Sequence, residues 1–406
     1  MKQAIKNIIR SGTGLILLAY IAFISLGLPD GLLGVAWPSI RAGFSLSLDS
    51  LGALLFASTT GYLASSFFSG RVISRMGVGW LLAASCAATG AGLVGYTLVP
   101  SWWMMLALAV VAGLGAGAID AGINNYAAAN FGEHQMQWLH ASFGIGITMG
   151  PVIMTAGINL IHSWRLGYSF VGISQIILAV CFAITASVWK KAKAHQDSGI
   201  EHSSGNPHIP LFETLRQLNV WISILLFFIY AGIEASLGSW AYTFLTEARG
   251  IAPQIAGLWV GSYWAAFTIG RILAGLFTRR VSVHTLIRLS LLAAFFGTLL
   301  LVLNSSVIIS LAGVAVIGFS IAPVFPAMVS GTIRRVHPKY VTNTIGMQIS
   351  AAGLGVAILP GFAGYLAQRS SLEVIPVFLL ILTLLLFGLY SQSVRLELKE
   401  KPQANA

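Results

Sequence analysis

Charge is what this chain has least of. Charged residues make up 9% of its 406 positions, against about 25% in soluble globular domains. Its 56% hydrophobic residues cannot be hidden under so little polar surface, so a water-soluble particle is excluded. Cysteine is also scarce. Cys86 and Cys181 are the 2 present, and both lie in apolar runs, which excludes a disulfide framework or a zinc site. No Gly-Lys-Ser/Thr loop occurs, so ATP is not the expected energy source. No nucleophile–base pair or cluster of metal ligands is visible, so neither an enzyme, a metal nor a cofactor is expected. The 44 glycines and 13 prolines follow no fibrous repeat.

What remains is an all-α polytopic membrane protein. A span needs about 20 residues, and apolar segments of that length recur at 13–40, 50–72, 77–99, 102–130, 137–162, 167–189, 220–247, 253–277, 283–304, 307–332, 340–368 and 372–394. The first is too long for a signal-peptide core and lacks a small-residue cleavage site, so it reads as a retained span. Residues 190–218 are polar and rich in Gly, Ser and Pro. The expected organisation is therefore 1–189 as one six-helix bundle, 190–218 as a linker, and 219–406 as a second bundle with a short tail.

The net charge of +11 is explained by position rather than by nucleic acid. With twelve spans, nineteen of the 23 basic residues fall on the side of the termini and linker, leaving Arg41, Arg165, Arg249 and Arg369 opposite. By the positive-inside rule the termini and linker are cytoplasmic, in a cell (inner) membrane.

The halves read as repeats. Gly70-Arg71-Val72-Ile73 near the end of span 2 matches Gly270-Arg271-Ile272-Leu273 near the end of span 8. Gly144-x-Gly146-x4-Pro151 in span 5 matches Gly353-x-Gly355-x4-Pro360 in span 11. This implies two bundles related by a pseudo-two-fold axis, the plan of a transporter. The glycines can equally serve close helix packing.

Three acids, Asp30, Asp120 and Glu234, sit well inside apolar spans. Acids at that depth are costly and usually line a polar path, which makes them the candidates for carrying a proton. Asn124 lies four residues after Asp120 and shares its helix face, and Asn125 follows. Asp30 lies between Pro29 and Gly31, so it reads either as a proton or substrate group or as the cap of a broken helix. His140 reads as a proton relay, a ligand or an interfacial residue. Gln348 is the amide expected from the second half. Trp37 and Trp240, with Trp259, Tyr263 and Trp264, offer flat faces to a sugar ring, or serve packing. Gly113-x-Gly115-x-Gly117 resembles a dinucleotide fingerprint but follows no strand, so it is set aside.

The loop Gly70-Arg71-Val72-Ile73-Ser74-Arg75-Met76-Gly77 resembles the G-x-x-x-D-R/K-x-G pattern of the major facilitator superfamily. Gly70, Arg75 and Gly77 match, and Ser74 stands where the acid belongs. The resemblance implies a gating role for Gly70, Arg71, Arg75 and Gly77, and for Arg271 in the repeat. Gly27-Leu28-Pro29-Asp30-Gly31 with Trp37-Pro38, Asp120 with Asn124-Asn125-Tyr126, His140-Ala141-Ser142-Phe143-Gly144, and Glu234 with Gly238-Ser239-Trp240 are similar to the fucose–galactose–glucose:proton symporter branch, particularly its glucose/mannose-type permeases. In that branch acids in spans 1 and 4 serve proton coupling and sugar recognition, and they correspond here to Asp30 and Asp120. Gly144 replaces the asparagine of fucose permeases, so no particular sugar follows. The expectation is a monomeric, proton-coupled sugar uptake carrier. An exporter of drugs or metabolites exchanging against protons, or a non-transporting membrane receptor or assembly partner, are the competing readings.

Overall fold

The computed structural model describes residues 12–189, 211–277, 281–303 and 306–400. Most of the 190–218 linker and several of the basic residues used for orientation lie outside them. Twelve long helices follow one another: α1 Gly12–Phe44, α2 Ser50–Met76, α3 Val78–Tyr96, α4 Trp102–Asn130, α5 Glu133–Ile161, α6 Trp164–Thr185, α7 Leu218–Thr243, α8 Pro253–Phe277, α9 Val283–Leu303, α10 Val307–Ile321, α11 Val341–Arg369 and α12 Val374–Glu400. Among the described residues, 11 helices are long and apolar enough to cross a membrane. The helix outside that group is α8. Its 25 residues suffice in length, and it carries Arg271 six residues before its end.

The chain divides into two compact units, Met1–Leu46 with Ala53–Ser204, and Ser47–Gly52 with Gly205–Ala406. Each unit builds its core by the same pairing. In the first, α1 packs most extensively on α5, and α3 packs on α4 and α6; in the second, α7 packs most extensively on α11, and α9 on α10 and α12. The matched glycines explain the two principal pairs. A Cβ on Gly146 would collide with the carbonyl oxygen of Ile24 on α1, and one on Gly355 with that of Phe228 on α7. Both positions thus let two helix backbones touch, which side chains larger than hydrogen would prevent.

Gly146→Ala and Gly355→Ala are therefore expected to lower the melting temperature in detergent. Alanine gains about 0.5–1 kcal/mol of helix propensity, but overpacking against a rigid backbone costs about 1–3 kcal/mol. Gly388→Ala on α12, where a Cβ meets open space, should leave the melting temperature unchanged or raise it. Equal behaviour of all three would contradict this packing.

Two local details depart from the sequence-based expectations. Helix α1 runs unbroken through Pro29, Asp30 and Gly31, so the reading of Asp30 as a helix cap is corrected. Pro29 has no N–H to give the Ser25 carbonyl one turn earlier. Gln175 on α6 supplies the missing donor, Nε2 to the Ser25 oxygen at 3.0 Å. Conversely, the expected span 307–332 is found over Val307–Ser330, but its helix is interrupted. It turns at Ala322–Pro323 and resumes as Val324–Ser330 and Thr332–Arg335.

On the second unit, Arg249 ties four segments together. Its guanidinium donates to both Glu373 oxygens at 2.6 and 2.7 Å, to Ser310 Oγ at 2.9 Å and to the Leu301 carbonyl at 2.9 Å. The short helical turn Leu211–Thr214 is fastened to the start of α11. Tyr340 Oη and Lys339 Nζ donate to Glu213 at 2.9 and 3.1 Å, and Asn343 donates to Thr214 Oγ1 at 3.1 Å. The Tyr340 hydroxyl, then Lys339, hold the Glu213 carboxyl below the ordinary glutamate range.

Candidate functional site

In the first unit the site begins with a glycine face. On α4, Gly113 and Gly117 are one turn apart; Cβ atoms there would strike the carbonyl oxygens of Ser58 and Tyr62 on α2. Gly115, on the opposite side, lies against Ser85 and Thr89 of α3. The glycine run that mimics a nucleotide fingerprint is thus a packing device. It sandwiches α4 between two helices. Ser66 Oγ donates to the Gly117 carbonyl at 3.2 Å and closes the α2–α4 seam.

That seam delivers Tyr62 to Asp120, less than one turn beyond Gly117. Tyr62 Oη donates to Asp120 Oδ2 at 2.5 Å, and Asn124 Nδ2 donates to Oδ1 at 2.8 Å. The four-residue spacing of Asp120 and Asn124 puts the amide over the carboxylate, as one helix face requires. Asp120, Asn124 and Tyr62 are each half-buried, and Asn125, Asp30 and His140 are exposed. His140, from α5, interacts electrostatically with Asp120, and its ring stands edge-on to Phe23 at 5.8 Å. Asp30, from α1, interacts with Tyr62 and with Tyr168 of α6. Tyr62 and Asn124 thus meet on the Asp120 carboxylate, and Asp30 and His140 interact with this group electrostatically.

Tyr62 was not singled out from the sequence. Its signal is weak: one tyrosine in a helix of small residues, Gly61 and Ser65-Ser66 beside it. Only the α2–α4 crossing makes it a partner of Asp120.

In the second unit Glu234 is half-buried on α7 and faces Arg271 of α8. Tyr230 lies one turn before Glu234 and interacts with its carboxylate, and Tyr263 Oη donates to the Glu234 carbonyl at 3.1 Å. Arg271, expected at a gate, is thus placed beside the one acid of this helix pair. Gln348 is fully buried. Its Nε2 and Oε1 lie 3.0 and 3.2 Å from Thr332 Oγ1, so its amide is spent inside the unit.

Trp37 and Trp240 are packing residues in this structure. Trp37 is fully buried, with its ring 6.1 Å from that of Trp102. Trp240 is fully buried too; its Nε1 donates to the Pro360 carbonyl at 2.9 Å and its ring covers Gly364 on α11. Neither presents a face to a ligand. In the α2–α3 turn, Gly77 has φ +81°, a conformation that favours glycine. Ser74 Oγ donates to the Arg71 carbonyl at 2.7 Å, and the Arg71 guanidinium sits 5.8 Å over Phe68. Gly70, Arg71 and Arg75 are exposed.

The sequence profile of the Major Facilitator Superfamily matches residues 19–250 and 222–405. The chain belongs to this superfamily. It is a membrane-embedded, multi-pass transporter, and not an enzyme. It is 24% identical to the glucose/mannose transporter GlcP of Bacillus subtilis, over 88% of this chain and 89% of that protein. It is also 24% identical to the sodium-dependent glucose transporter 1A of Mus musculus, over 77% of this chain and 80% of the relative. In fold it resembles the inward-facing, unoccupied structure of a bacterial homologue of the human lysosomal transporter Spinster, with a TM-score of 0.78, 15% identity, and 95% and 98% of the two chains covered.

Proposed function

We propose that this transporter takes up a sugar together with protons by alternating access. The observation that carries this reading is the Asp120 centre: one carboxylate deep in a span, its two oxygens engaged by Tyr62 and Asn124. A carboxylate bracketed by a hydroxyl and an amide can trade those bonds for the hydroxyls of a sugar, because all three groups exchange hydrogen bonds with little change of geometry. The same carboxylate can take a proton, and the nearby His140 imidazole is a group able to pass one on. Asp30 and Glu234 are the further acids of the coupling path. The glucose-transporting relatives support the solute class.

The carrier acts as a monomer in the cell membrane, with both termini and the 190–218 linker cytoplasmic. A reporter inserted in the linker is expected to be cytoplasmic, and labelling of that segment from outside would overturn the orientation. The functional reading is tested by uptake of labelled glucose, mannose and galactose into proteoliposomes under a proton gradient, a sodium gradient or neither. Accumulation driven by the proton gradient supports it. Accumulation driven only by sodium would move the coupling ion, and uptake of none of these sugars would remove the solute class.

A further inference from the structure

We propose that Arg271 and Glu234 form a second recognition centre, specific for the carboxylate of an acidic sugar, which binds there together with one proton. This rests on the reading of the chain as a carrier that moves a polyhydroxylated solute with protons.

The centre is built by helix spacing. Tyr230 and Glu234 stand one turn apart on α7, and Tyr263, Phe267 and Arg271 stand at successive turns of α8. Stacking over the Phe267 ring at 4.4 Å holds the guanidinium against this face. Tyr263 fixes the seam by its bond to the Glu234 carbonyl. Among the described residues, the titratable and charged groups that face Glu234 are Arg271, Tyr230 and Tyr263.

The decisive feature is what Arg271 does not do. It interacts with Glu234 electrostatically, yet the two do not close into an ion pair, and Arg271 Nε is buried without a hydrogen-bond partner. A structural pair in this unit looks different: Arg249 grips Glu373 through two bonds and adds Ser310 and Leu301. Arg271 retains unused donors in a planar fork that matches a carboxylate.

Charge balance then dictates the coupling. With the centre empty, ionised Glu234 offsets Arg271. When a carboxylate binds the guanidinium, Glu234 must be neutral, or a net negative charge is left inside the membrane span, where it is costly. The proton goes to the Glu234 carboxylate and the anion to Arg271, so the centre carries no net charge in either state. Proton or anion alone would leave one unbalanced. A sugar acid and its proton therefore move together, the Glu234 proton replacing the Asp120 proton that accompanies a neutral sugar, and their joint transfer is electroneutral.

The test uses the full-length protein in proteoliposomes, with labelled gluconate and glucuronate as probes beside glucose. An inward proton gradient should drive accumulation of a sugar acid, and a potassium–valinomycin potential of either sign should not change its rate. Arg271→Gln should lower sugar-acid uptake at least tenfold, and Arg271→Lys, which keeps the charge, should recover part of it. If Arg271→Gln does not fold, the potential-independence of the wild-type protein decides. Glucose uptake with no uptake or competition by either acid would overturn this inference and leave the sugar reading standing. Sugar-acid uptake that follows the membrane potential, or that survives Arg271→Gln, would overturn it as well. Failure of glucose and both acids to move would remove both readings.

Discussion

Asp120→Asn is expected to abolish proton-driven accumulation of sugar, so that the internal concentration never rises above the external one, while exchange of sugar already on both sides continues. Accumulation requires the carrier to pick up a proton on one side and release it on the other. Exchange requires only that the loaded carrier reorient. Asparagine keeps the shape of the side chain and its place between Tyr62 and Asn124, but it cannot bind and release a proton near neutral pH. The measurement is a paired one on the same vesicles: uptake under an inward proton gradient, and counterflow with sugar preloaded. Loss of both would indicate damage to binding or folding. Retention of accumulation would remove Asp120 as the coupling acid and pass that role to Asp30 or Glu234, to be tested by the same pair of assays.

The second large effect concerns affinity. Asn124→Ala removes the amide that reaches Asp120 Oδ1 at 2.8 Å, and Tyr62→Phe removes the hydroxyl that reaches Oδ2 at 2.5 Å. Each change leaves a carboxylate oxygen without its donor and, in the proposed site, a sugar hydroxyl without its partner. Such a loss costs about 1–3 kcal/mol, or roughly five- to 150-fold in the dissociation constant. Binding on purified protein, by calorimetry or tryptophan fluorescence, separates this from the rate of reorientation. Gln348→Ala provides the contrast. Its amide is buried against Thr332 in the second unit, so its loss should lower the melting temperature and leave affinity within about twofold, well inside one hydrogen bond's worth. An affinity loss in Gln348→Ala as large as in Asn124→Ala would show that the amide leaves Thr332 to meet the substrate.

The helices were legible because a span announces itself: about 20 apolar residues in a row are a property of the sequence alone. The pairing of the halves was legible for a related reason, since Gly146 and Gly355 sit where two backbones meet and no other residue fits there. Asp120 and Asn124 were legible as a pair because one helix face joins them. What escaped depends on contacts between helices distant in sequence. Tyr62 lies 58 residues from Asp120, and nothing in its own neighbourhood marks it. Gln175 donates to a carbonyl 150 residues away, and that bond satisfies the acceptor Pro29 leaves unpaired where the local sequence reads as a break. Trp37, Trp240 and Gln348 have the chemistry of site residues, and packing claims them instead. An indole or an amide has the same composition in a core as in a binding site, and only its neighbours tell the two apart. Arg271 matches Arg71 in the repeat, which stands near a turn. The two repeats diverge there: Arg71 is exposed, and Arg271 faces an acid within its own unit.

The most direct test of proton-coupled sugar uptake needs no substitution. De-energised proteoliposomes, with equal pH and ion composition on both sides and an external pH indicator, are given glucose. If sugar and proton move together, sugar entering down its gradient carries protons with it. The medium should then become more alkaline at a rate proportional to labelled glucose uptake, and a protonophore should abolish the pH change without stopping the sugar. Glucose entry with no change in external pH would contradict the account.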